Sequence, residues 1–377
     1  MTSSSTPATL SPAPRNPGID LLRGLSILLV VLHHTGLRIP LKQSVLADSL
    51  PRWLLNAFIY NGYEAVFVFF VVSGFLIATN SLARWGSLGA IDARAFYARR
   101  AARILPCLLL LVLVLSALHL AGAGDYRITR PDQSLGRAVL SALTLHLNWY
   151  EGHTGYLPGS WDVLWSLSIE EVFYLGFPLL CLTVRRPWMR AALLGLLSLS
   201  LPVTRAALEG NEIWQEKAYL PGMAAIATGV LAALVAARVP RPRPWLPRLL
   251  GAVGGAGLGG VLCFEDKLGK VMGESTMLVL TSSAAFLVLA FHWREQRAPG
   301  RALRGADWLR SLGRLSYEVY LTHMFVVLAV VGAFKAHGGG LRWGVLWYAP
   351  AVALSWLLGW LVARFVSAPS ERALRSL

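Results

Sequence analysis

An arginine and a histidine share the apolar run GIDLLRGLSILLVVLHHTG, residues 18–36. Arg23 carries a permanently charged guanidinium whose flat fork suits phosphate. His34 carries an imidazole with an ordinary pKa near 6.5, suited to taking a proton from a hydroxyl at neutral pH. At 100° per residue, their spacing puts the two within about 20° of one helical face and about 16 Å apart along it. His33 points about 80° away from that stripe, so the geometry selects His34 as the partner of Arg23 in a shared cavity. The same residues also read as a snorkelling arginine at one helix end and an interfacial histidine at the other, and spacing alone leaves both readings open.

Three further clusters put ionisable groups inside or at the edges of apolar runs, where hydrocarbon makes them costly and each is a candidate for function. FYARRAARILP brings Arg99, Arg100 and Arg103 to the start of a run, with Arg100 and Arg103 on one face. This is either a helix-end anchor or an anion site of paired guanidinium forks. WSLSIEEVFYL places Glu170 and Glu171 at the outer end of the next run beside Trp161 and Trp165. Adjacent carboxylates cannot share a face, so one is expected to look into the protein and the other towards water or headgroups. SYEVYLTH carries Glu318 and His323, about 140° apart around a helix and so not directly paired; alone, His323 reads as a buried, hydrogen-bonded structural histidine. There is no phosphate-cradling glycine loop, nucleophile elbow or His/Cys metal spacing, and no metal is expected.

These groups need apolar elements to hold them, and the chain supplies many. Of 377 residues 55% are apolar and 15% charged, mean hydropathy is +0.54, and 35 Lys and Arg face 20 Asp and Glu for a net charge of +15. A basic nucleic-acid binder would be richer in charge, so no nucleic acid is expected. A soluble oily core does not need such a positive excess. Cys107, Cys181 and Cys263, an odd number within apolar runs, exclude a disulfide scaffold. The combination predicts an all-α polytopic membrane protein whose charges are sorted by side.

A span needs about 20 mostly apolar residues. Ten are predicted, at about 19–38, 62–80, 102–122, 163–183, 190–206, 219–237, 248–264, 276–293, 315–334 and 344–366. The run 135–148 is too short and is assigned to the outer interface or to a partly re-entrant segment. With the N-terminus inside, every inner loop is arginine-rich and 23 of the 35 basic residues lie on the inner side, so both termini are predicted to be cytoplasmic. Residues 1–17 read as a disordered cytoplasmic tail, 18–368 as one membrane domain and 369–377 as a short cytoplasmic tail. Gly251, Gly255 and Gly259 form a small-residue stripe expected to pack closely on another helix.

Taken together, RGLSILLVVLHH, VFFVVSGFLI, ARRAARILP, WSLSIEEVFYLGFP and SYEVYLTH occur in the order of, and resemble, the acyltransferase-3 family of integral-membrane acyltransferases. The resemblance implies transfer of an acyl group, usually acetyl, from cytoplasmic acyl-CoA to a hydroxyl of a carbohydrate or lipid-linked glycan in the cell inner membrane. The family's Arg-x10-His motif falls on Arg23 and His34, its Arg-x-x-Arg motif on Arg100 and Arg103, its WSL-x-x-E glutamate on Glu170, and its Ser-Gly-Phe on Ser73, Gly74 and Phe75. Two positions depart from the pattern. Phe67 stands where an acid is frequent, with Glu64 one turn earlier, and Thr322 stands where a tryptophan often precedes the ninth-span histidine, here His323.

The expected mechanism makes His34 a general base or transient acyl carrier, with the donor's phosphates held by Arg23, Arg100 and Arg103. Glu170 would orient the histidine or the acceptor. Ser73 and His323 join the substrate site, and the external stretch NWYEGHTGYLPGSW offers Trp149, Tyr150, Tyr156 and Trp161 as faces on which a sugar could stack. The rival is a transporter or flippase for a glycan or lipid intermediate, with Arg23, Glu170 and His34 on a substrate or proton path. The inverted symmetry and paired broken helices such a protein should show are not visible in the sequence.

Overall fold

The computed structural model describes residues 15–300 and 305–375. The tail expected over 1–17 lies outside the described residues as far as position 14. The described chain runs through α1 Pro17–Gly36, α2 Arg52–Ile59, α3 Gly62–Trp85, α4 Ala93–Leu120, α5 Leu135–Leu143 and α6 Leu147–Thr154. It continues as α7 Gly159–Asp162, α8 Trp165–Thr183, α9 Pro187–Leu199, α10 Leu201–Ala206, α11 Glu212–Lys217 and α12 Tyr219–Arg238. The last six are α13 Trp245–Met272, α14 Ser275–Arg297, α15 Asp307–Arg314, α16 Ser316–Ala336, α17 Tyr348–Val362 and α18 Ala368–Arg375. Among the described residues there is no strand, and nine helices are long and apolar enough to cross a membrane. The protein is an all-α, multi-pass membrane protein.

Nine of the ten expected spans are these long helices. The tenth, 190–206, is broken: α9 has 13 residues, α10 has six, and Pro202 lies in the first turn of α10. Proline has no N–H to give and its ring crowds the preceding turn; the helix breaks here, whereas α4 and α8 run through Pro106 and Pro178. The short run 135–148 becomes α5 and the start of α6.

Local sequence starts α1. Pro17 opens it with φ already helical, and Asn16 Oδ1 accepts from the N–H groups of Gly18 and Ile19 at 2.9 and 3.2 Å. Asn16 Nδ2 donates to Phe291 O at 3.0 Å, tying the start of α1 to the far half of α14.

Two helix pairs approach until backbones touch. A Cβ on Gly24 would collide with Leu309 O and one on Gly313 with Asp20 O, so α15 lies directly across α1. In the same way Gly74 faces Ile226 O and Gly229 faces Val71 O, locking α3 to α12. Without a hydrophobic drive between helices in lipid, such close packing is what holds spans together.

The expected stripe on α13 does not do this. A Cβ on Gly255 or Gly259 would meet nothing within 4 Å, whereas Gly254 and Gly257 abut Ser283 of α14. A Cβ on Gly251 would keep an ordinary contact distance of 3.6 Å to Ala290 of α14, but positions 255 and 259 are rotated off the contact. Only a neighbour decides which small face is used.

Aromatic and hydrogen-bond contacts set the register of α4 against α8. Phe96 packs on Phe177 with centroids 6.2 Å apart, and Tyr97 Oη donates to Leu175 O at 2.7 Å. The helices are antiparallel, so α8 begins level with the middle of α4. The segment before α8 folds inward, with Ser160, Trp161, Val163 and Leu164 almost fully buried. Glu170 and Glu171, expected at the outer end, therefore lie level with the second turn of α4.

Candidate active site

Helices α1 and α16 run parallel and face each other with two matched contacts. Near their arginine-rich ends, Arg23 Nη2 donates to Ser316 Oγ at 2.7 Å. Further along, the rings of His34 and His323 have centroids 5.1 Å apart. His33 turns to the opposite duty: its ring packs on Gly62 and its Nδ1 donates to Ile59 O at 2.6 Å. Arg23 and His34 each keep some accessible surface although protein surrounds both. Between them on the same stripe, Ile27 and Val30 are 0% and 2% exposed.

His323 is fully buried. Its Nδ1 donates to Tyr320 O at 2.7 Å. Its Nε2 has no partner. Glu318 makes no bond to it, in line with the 140° separation. Ser166 Oγ donates to Tyr320 Oη at 2.7 Å, linking the histidines to α8 one turn before Glu170.

A second polar group joins α3, α4 and α8. Ser73 Oγ donates to Glu170 Oε1 and also meets Tyr174 Oη. Tyr174 Oη donates to the same carboxylate at 2.6 Å. Arg100 Nη2 donates to Glu171 Oε1 at 2.8 Å, lies 3.7 Å from Glu170 Oε1, and stacks 3.5 Å above the Tyr174 ring. Both adjacent carboxylates thus reach inward to one guanidinium. A long arginine bridges the 100° between them, so one does not turn out to water as expected. Gly74, beside Ser73, faces α12 and lets the hydroxyl present itself on the other side of α3.

Arg100 is therefore engaged with carboxylates, not open to a phosphate as expected. Arg103, about 60° further round α4, is exposed and makes no ion pair among the described residues. Arg103 and Glu170 both lie within electrostatic range of Arg23. Arg23 and Arg103 are thus two neighbouring cations that form no ion pair among the described residues.

A third cluster went unnoticed in the sequence. Lys217 Nζ donates to Glu151 Oε2 at 3.1 Å and to Asp162, and lies 4.3 Å over the Tyr156 ring. Leu157 N donates to Glu151 Oε1 at 3.0 Å, and Asn148 Nδ2 to Lys217 O at 2.8 Å. Burial, then the neighbouring Asp162 charge, push the Glu151 carboxyl well above the usual carboxylate range. Two acids sharing one ammonium give no signal by spacing, because residues 151, 162 and 217 come from three elements.

The aromatic faces divide sharply. Trp161 is fully buried and has no face for a sugar, a correction that follows from the inward fold of α7. Tyr150 is also buried, with its hydroxyl accepting from Ser134 N. Trp149 and Tyr156 are open, and Trp149 stacks on His153 at 4.2 Å. Glu64 is buried with Oε2 unpartnered. Tyr174 and Ser166 were legible as the i+4 and i−4 neighbours of Glu170. No group of three His, Cys, Asp or Glu side chains among the described residues could hold a metal.

The family model described as an acyltransferase domain, Acyl_transf_3, matches residues 16–364. A Staphylococcus aureus strain COL protein provisionally named an O-acetyltransferase is 28% identical over 173 residues, 45% of this chain and 25% of its own. The O-acetyltransferase OatA of S. aureus strain NCTC 8325 is 28% identical over 176 residues, 43% of this chain and 24% of its own. The match thus spans about a quarter of the length of these relatives. No solved structure matches the chain.

Proposed function

This chain belongs to the acyltransferase-3 family, and from that premise we propose that it is an O-acyltransferase of the cell inner membrane. It moves an acyl group, acetyl by the names of its relatives, from cytoplasmic acyl-CoA to a hydroxyl of a cell-surface polysaccharide or other glycan. The arginine-rich helix ends face the cytoplasm in this reading, and so do both termini, because α9 and α10 together make a tenth crossing between the end of α8 and the start of α12. The observation that carries it is the pairing of α1 with α16. One stripe of α1, facing α16, bears a guanidinium at the cytoplasmic side and an imidazole further in.

Arg23 and Arg103 hold the donor's phosphates. Arg100 neutralises Glu171 and keeps Glu170 where Ser73 and Tyr174 share it, and Glu170 then accepts a hydrogen bond from the acceptor. His34 takes the proton as the acceptor oxygen attacks the thioester carbonyl. The C–S bond breaks, and the leaving thiolate takes that proton back from His34, so an ester and free CoA result with no net proton change. Ile27 and Val30 must part or be skirted for the thioester to reach His34, which makes donor binding a packing event as well as an electrostatic one.

The test is thiol release from acetyl-CoA by purified protein in nanodiscs, with envelope glycan from the native host as acceptor. Loss in His34→Ala of at least about 100-fold, the usual scale of general-base catalysis, is expected. Full transfer by a folded His34→Ala protein would overturn the reading, and a stable acyl adduct on His34 would make it a carrier instead.

A further inference from the structure

A histidine acting as base needs its second nitrogen fixed, usually by a carboxylate. His34 has none. The titratable groups that act on it most strongly are His323, His33, Arg38 and Lys217, all bases. His33 gives its Nδ1 proton to Ile59 O and stands edge-on to His34 at 5.2 Å with its ring against Gly62, and Arg38 Nη1 donates to His34's own carbonyl at 2.9 Å. His323 is different. A carbonyl can only accept, so the bond to Tyr320 O puts the proton on Nδ1, and the neutral ring then offers a lone pair at Nε2. That atom is fully buried and has no partner, a costly state unless something fills it.

The 5.1 Å centroid separation is what two imidazoles adopt when joined by one N–H···N bond of about 2.9 Å, since each nitrogen lies about 1 Å from its ring centre. The bond requires the His34 ring to turn an N–H towards His323 Nε2. We propose that His323 is a positioning residue for His34: its Nε2 receives the His34 N–H, fixing the tautomer whose other nitrogen is free to take the acceptor's proton. Tyr320 holds His323 through its carbonyl, and Ser166 holds Tyr320 from α8, so the chain of orientation runs from Glu170's helix to the base. This rests on His34 being the base, and replaces substrate contact as the role of His323.

Two conservative variants separate positioning from packing. In His323→Asn the amide can replace Nδ1 and its bond to Tyr320 O but has no atom at the Nε2 position. In His323→Gln the amide oxygen falls near Nε2 and can accept from His34. Thiol release from acetyl-CoA with host envelope glycan should fall 10- to 100-fold in kcat for His323→Ala and His323→Asn, at unchanged KM for acetyl-CoA. His323→Gln should recover most of it. Rescue by Asn and not by Gln, or wild-type kcat in all three, would overturn the proposal while a dead His34→Ala left the base assignment standing. If the variants do not fold, solid-state NMR of the 15N-histidine-labelled wild-type protein decides. A cross-peak between a protonated His34 nitrogen and unprotonated His323 Nε2 is expected, and its absence overturns the assignment.

Discussion

The rings of His34 and His323, from the first and sixteenth helices, lie 5.1 Å apart, although 289 positions separate them in the chain. With Arg23 bonded to Ser316 on the same two helices, α16 is the partner that turns the Arg23–His34 stripe into a site. Four predictions follow from the groups arranged around that pair.

The open guanidinium groups should act on the donor's phosphates alone. Arg23→Ala or Arg103→Ala is expected to raise KM for acetyl-CoA by about 10- to 100-fold, the value of one lost charge-assisted contact of roughly 1.5–3 kcal/mol. With acetyl-pantetheine, which lacks the nucleotide phosphates, the same variants should match the parent protein. An equal loss with both donors would mean that neither arginine reads phosphate.

Arg100 should matter for the fold as much as for turnover. Its partners Glu171 and Glu170 are 13% and 28% exposed, so removing the guanidinium leaves two mostly buried acids uncompensated. Arg100→Met should destabilise by about 3 kcal/mol, read as a lower melting temperature in detergent. Adding Glu171→Leu should recover part of the loss, and a double variant no better than the single would break the pairing claim.

The buried cluster at Lys217 has a pH signature. Glu151 has its carboxyl pKa raised in the fold, first by burial and then by Asp162. A raised folded-state value means that its stabilising contribution is present at low pH and lost as pH rises through that value. Melting temperature should therefore rise as pH is lowered from neutral, and Glu151→Gln, which keeps a hydrogen-bonding shape without the charge, should flatten that slope. Lys217→Met should destabilise strongly, by about 3–5 kcal/mol, by leaving the acids without their cation.

Glycine substitutions should sort by neighbour, not by motif. Gly74→Ala and Gly313→Ala each drive a methyl into a facing carbonyl and should lower folded yield sharply in size-exclusion profiles. Gly255→Ala and Gly259→Ala meet open space and should be neutral or add about 0.5–1 kcal/mol of helix stability. Equal tolerance at all four would contradict the close crossings of α1 with α15 and α3 with α12.

Much of the fold was already legible in the chain. Apolar run length marks nine long helices because every backbone group in hydrocarbon must be paired within its own segment, and helical period marks His34 over His33. Both are local properties. Register is not local. Glu170 was expected at the outer end because α8 was assumed to begin at the interface. The inward fold of α7 lowers it onto Arg100, and the same fold buries Trp161. The break at Pro202 is not local either, because Pro106 and Pro178 sit inside α4 and α8 without ending them. Which face of the α13 glycines touches α14, which arginines stay open, and that Lys217 meets Glu151 and Asp162 depend on how distant helices are rotated against each other. Sequence alone determined which residues could do chemistry and on which side of each helix they stand. Tertiary packing decided their partners, because a side chain's charge state and freedom are set by whatever lies across the contact, and in this bundle that is almost always another helix.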